Sequence, residues 1–90
     1  MKQIGIAMFE PTGNPNGVGG FEWRTDAAEA EKAFRSLRGG NGTATLWQGV
    51  EVDEALSPDE ITDWVDGVYW DKSPAEQIEI LGTPTKTHTR

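Results

Sequence analysis

The longest strand candidate in the chain is Thr43–Val52, Thr-Ala-Thr-Leu-Trp-Gln-Gly-Val-Glu-Val. Ala44, Leu46, Val50 and Val52 fall on one face of an extended chain, and Thr45, Trp47 and Glu51 fall on the other. The run follows a Gly39–Gly42 turn and predicts the longest strand, at the centre of a sheet. Gly49 inside it marks a bulge or a close approach of another chain. Trp47, facing away from Leu46 and Val50, is either covered by Tyr69 or Trp70 or exposed as an anchor for a partner.

The other elements follow from changes of period. Ile4, Ile6 and Met8 alternate in residues 3–9 and predict a half-buried strand. Residues 11–20 hold four Gly, two Pro and two Asn, a composition that predicts a long hairpin tip, and Phe21–Arg24 return as a second strand. Ala27, Ala30, Ala33, Phe34 and Leu37 recur at helical spacing behind Thr25 as N-cap, with Gly39 and Gly40 as the stop. The alanines predict close packing on a sheet.

Ser57-Pro58-Asp59-Glu60 is a capping box, with Leu56 and Ile61 at the staple positions and Ile61, Trp64, Val65 and Val68 as the apolar stripe. Gly67 ends this predicted helix. Ser73-Pro74-Ala75-Glu76 repeats the box, whereas Gln77–Leu81 alternates and is β-branched; the preferred reading is a turn followed by a strand over 77–81. Residues 83–90 are polar and without period, which predicts a flexible tail.

Ninety residues allow one domain, 1–82. The expected fold is α+β: a small, mainly antiparallel sheet of three to four strands, two helices packed on one face, order ββαβαβ. Its expected core is Phe34, Leu37, Leu46, Val50, Ile61, Trp64 and Val65.

Composition narrows the chemistry. There is no cysteine, so disulfides, thiolate zinc sites and a cysteine nucleophile are excluded. The single histidine, His88, leaves nothing for a multi-histidine metal site or histidine-based catalysis. The glycines of 13–20 are followed by a strand pattern and lack a Gly-Lys-Ser/Thr, so they do not read as a phosphate loop. Asp53-Glu54 and Asp59-Glu60-Asp63 do not match calcium-loop spacing. The expectation is no enzyme, no cofactor and no metal. No apolar run reaches membrane-spanning length, and the first residues do not read as a targeting segment; the expected location is the cytoplasm.

The net charge is −7, and its placement is uneven. Residues 1–50 hold five acids and five bases; residues 51–79 hold ten acids and one base, Lys72. That half repels a phosphate backbone and attracts a basic protein surface. Asp59, Asp63 and Asp66 share one face of the second helix, and Asp66 near its end is opposed by the macrodipole. Glu54, Asp71, Glu76 and Glu79 extend the patch if the fold brings them near.

No motif places the chain in a family. In bulk character it resembles small acidic proteins of phages and mobile elements that block nucleic-acid-handling machinery, such as anti-CRISPR and anti-restriction inhibitors. That resemblance implies an inhibitor docking on a basic, nucleic-acid-binding surface of a larger protein or nucleoprotein complex. Two other readings stand beside it. One is a structural or regulatory subunit, such as a phage assembly component, associating through a sheet face that carries Trp47. The other is a small enzyme or ligand-binding domain using the Gly-rich loop.

Overall fold

The computed structural model describes residues 1–12 and 19–90. The elements run β1 (Lys2–Pro11), β2 (Gly20–Arg24), α1 (Ala27–Leu37), β3 (Gly42–Val52), α2 (Pro58–Asp71), α3 (Pro74–Leu81) and β4 (Lys86–Thr89). The class is α+β, and the order is ββαβααβ with three helices rather than the expected ββαβαβ with two. The strands form one antiparallel sheet in the order β2-β1-β3-β4. The expected hairpin of β1 and β2 is present; of its expected tip, 11–20, Pro11 ends β1 and Gly20 begins β2, and residues 13–18, with Gly13 and Gly17, lie outside the described residues. Among the described residues, no helix is long and apolar enough to cross a membrane.

The sheet is buried on both sides, not one. Ala7, Phe9, Ala44 and Leu46 pack against Ala30, Ala33 and Phe34 of α1. Ile4, Ile6, Met8, Trp47, Val50 and Val52 pack against Ile61, Val65, Val68 and Tyr69 of α2. The expectation of both helices on one face fails because β3 changes faces along its length. Ile6 pairs with Trp47 but Ile4 pairs with Val50, so β3 carries one extra residue there. This bulge puts Leu46 and Val50 on opposite sides. Gly49 accommodates it at a φ of 69°, a region that costs other residues strain.

Close packing of α1 has a visible cause. A Cβ at Gly5 would land on the Ala30 methyl group and the Gln48 amide, so glycine on the strand and alanine on the helix let the two backbones approach. The cap is Asp26 rather than Thr25: its carboxylate accepts from the Ala28 N–H at 2.7 Å. Leu37 and Trp64 are half-buried at the margin of the core rather than inside it.

Two stretches differ from expectation because backbone hydrogen bonding sets their structure. Residues 74–81 are helix, not strand. Ser73 accepts from the Glu76 N–H while the Glu76 carboxylate accepts from the Ser73 N–H at 3.0 Å, a complete capping box. The polar stretch expected to be a loose tail supplies β4. Its backbone pairs with Thr43–Leu46, and the Thr85 and Arg90 N–H groups donate to Leu46 and Gly42 carbonyls at 2.8 and 2.9 Å.

Candidate functional site

α2 has a strong start. Ser57 accepts from the Glu60 N–H, Pro58 takes the first position, and Glu60 returns a bond to the Ser57 N–H at 2.9 Å. The Ser57 backbone donor, with its side chain, holds the Glu60 carboxyl below the usual carboxylate range. Leu56 packs on the cluster that contains Ile61, as the staple requires. Gly67 does not end this helix, which runs on through Val68, Tyr69 and Trp70 to Asp71. The Tyr69 hydroxyl donates to the Phe9 carbonyl at 2.6 Å, and burial, with Glu10 nearby, pushes its pKa up. It ties the end of α2 to the sheet. Trp23 does the same nearer the start, donating from Nε1 to the Thr62 hydroxyl at 2.9 Å.

With Ile61, Val65, Val68 and Tyr69 turned inward, the opposite line of α2 is Asp59, Asp63, Asp66 and Trp70, at steps of four, three and four. All four are exposed, Trp70 by 65%. Its indole stands edge-on to Tyr69, 4.8 Å between centroids. The ion pairs among the described residues are Met1–Glu54, Arg24–Glu22 and Lys86–Glu31. None of them involves an acid of α2.

The remaining expected site residues divide. Asp71 lies on α2 and lines a groove with Asp63. The Glu54 carboxylate is engaged by the Met1 amino group at 2.8 Å. The Glu76 carboxylate is used in its capping box, which holds its pKa down. Glu79 is exposed on α3. Trp47 is not an exposed anchor: it is 3% exposed, and its Nε1 donates to the Gly82 carbonyl at 2.9 Å. The bulge turns it toward the α2 side, where Ile78, Pro84 and Gln77 lie near it. The exposed indole is Trp70, which continues the aspartate spacing one turn past Gly67. Reading Gly67 as the helix end hid it.

Gln77, the buried polar residue of α3, places its Nε2 3.2–3.4 Å from the Val68, Tyr69 and Lys72 carbonyls. It satisfies the end of α2 and fixes α3 against it. A second cavity of about 290 Å³ opens beside Glu10, Thr43, Thr45 and Gln77; it assembles one carboxylate with threonine hydroxyls. Among the described residues no group of three metal-ligating side chains converges. Comparison with protein-family models, curated proteins and solved structures finds no match to the chain.

Proposed function

We propose that this chain is a small protein-binding module, an inhibitor that lays α2 on a basic, nucleic-acid-binding surface of a larger protein or complex and covers it. The observation that carries the reading is the line Asp59, Asp63, Asp66 and Trp70: three exposed carboxylates without ion-pair partners among the described residues, ending in an exposed indole. Carboxylates of one sign steer a basic surface into register. An aromatic side chain beside them supplies the apolar anchor that charge alone lacks. A protein groove that normally holds a phosphate backbone offers the complementary field. The competing reading, a subunit that associates through a Trp-bearing sheet face, has less to stand on, because Trp47 is covered.

The test is capture of proteins from lysate on the immobilised chain at low and high salt, with heparin as competitor. Capture that salt and heparin both abolish, and that Asp63→Lys with Asp66→Lys weakens more than tenfold, supports the reading. Capture that survives both and fails only on apolar substitution would overturn it.

A further inference from the structure

Gly67 sits inside α2, with a full turn of helix after it. Glycine weakens a helix interior, and the fold does not demand it here. Its φ is not positive, and an added Cβ would meet only Asp71 Oδ2, at 3.9 Å. What the glycine changes is the surface. Asp63, Gly67 and Asp71 follow each other at i, i+4 and i+8 on one side of the helix, so a gap opens in the ridge between two carboxylates.

Gly67 lines a groove of about 290 Å³ between α2 and α3, whose apolar residues are Trp64, Val68 and Ile80 and whose charged residues, at its rim, are Asp63, Asp71 and Lys72. Ile80 is 44% exposed. Gln77 holds the two helices together. Lys72 makes no ion pair among the described residues, and two carboxylates against one ammonium leave the rim net negative.

We infer that this groove receives an arginine side chain of the partner, its stem crossing Gly67, its guanidinium plane against Trp64 and Ile80, and its N–H edges turned to Asp63 or Asp71. The inference rests on the docking reading above and names the side chain that reading leaves open. Charge complementarity selects the occupant. A purely apolar segment would strip water from two carboxylates without a counter-charge. A second copy docking through the same face would set carboxylates against carboxylates. A lysine ammonium is compact and strongly hydrated and makes little use of an apolar floor, whereas guanidinium is flat, weakly hydrated and stacks on indole.

The experiment is a titration of ¹⁵N-labelled protein with hexa-arginine and with hexalysine at low salt. Hexa-arginine should move the amides of Asp63, Gly67, Asp71 and Ile80 and bind at least fivefold more tightly than hexalysine. Gly67→Leu, which lays a side chain in the gap, and Ile80→Lys, which puts like charge on the wall, should each weaken hexa-arginine at least fivefold. Gly67→Ala should melt higher than the parent, showing that the position is free of a folding role. Equal binding of the two peptides, or unchanged binding by both Gly67→Leu and Ile80→Lys, overturns the inference. So do shifts that follow Asp59, Asp66 and Trp70 and leave Gly67 unmoved; heparin-sensitive capture would then still stand, separating loss of the groove from loss of the docking reading.

Discussion

α1 covers its side of the sheet with two alanines and Phe34 and pairs one of its charges, Glu31, with β4; α2 covers the other side with large residues and leaves its aspartates facing solvent. On α1, Ala30 settles onto Gly5 of β1. Glu31 accepts from Lys86 of β4, a bond that holds its carboxyl below the usual range. On α2, Ile61, Val65 and Val68 fill the core, but the outer aspartates answer no base among the described residues. α1 has an ion pair to another element; α2 is tied by hydrogen bonds from Trp23 and Tyr69, and its line of aspartates stays exposed without one among the described residues.

The sharpest way to break this contrast is at two tryptophans. Trp47→Ala should cost about 3–5 kcal/mol, because it empties a core position, whereas Trp70→Ala should move stability by less than about 0.5 kcal/mol and show its effect in binding. Denaturant midpoints that fall equally for both would erase the distinction between core and anchor indole.

The same substitution should also have opposite signs on the two sides. Gly5→Ala drives a methyl group into α1 and should destabilise by about 1–3 kcal/mol. Gly67→Ala should stabilise by about 0.5–1 kcal/mol. Thermal melts of the pair decide it, and destabilisation by both would mean that α2 depends on its glycine as the sheet does.

Ser57→Ala should cost about 1 kcal/mol through the lost cap, read as a lower melting midpoint; an unchanged midpoint would show that α2 does not depend on its box. A pH series sharpens the same point. Glu60 and Glu76 have folded pKa values below their unfolded ones. Their contribution is therefore complete above the unfolded carboxyl pKa of about 4.3 and is lost as pH falls through the lower folded values. Melting midpoints between pH 6 and 3 should drop less steeply in Glu60→Gln with Glu76→Gln, since each amide oxygen keeps the bond without titrating. Identical slopes would remove the boxes as the cause. The smallest stability effect belongs to Asp63→Lys with Asp66→Lys, within about 0.5 kcal/mol, checked by denaturant melts.

Much of the secondary structure was legible because local chemistry and period agreed, as at Ser57–Glu60 and in the alternation of Ile4, Ile6 and Met8. The sidedness of the sheet was not. One inserted residue near Gly49 changes which side of the sheet the following side chains face, and the sequence marks that position without saying which way the strand turns. The assignment of 74–81 failed where two signals conflicted: Ile78 and Ile80 favoured a strand, and the Ser73 box won. Both isoleucines end up exposed, so the alternation did not reflect burial. β4 was invisible in side chains because its place is set by backbone pairing along the edge of β3. Of the candidate site, the aspartate spacing was read correctly as one helical face, and the indole beside it was misplaced by one premature helix stop.

β4 also has a consequence in time. Ribosomes make the chain in one direction, and residues 82–89 emerge after everything they cover. Until then the Trp47 indole lacks its acceptor on Gly82, and Thr43–Leu46 present an open strand edge. The nascent chain therefore passes through a stage with a bare β edge beside a partly uncovered aromatic, a combination prone to pairing with other chains. Closure by a short polar strand ends that exposure without adding apolar surface of its own.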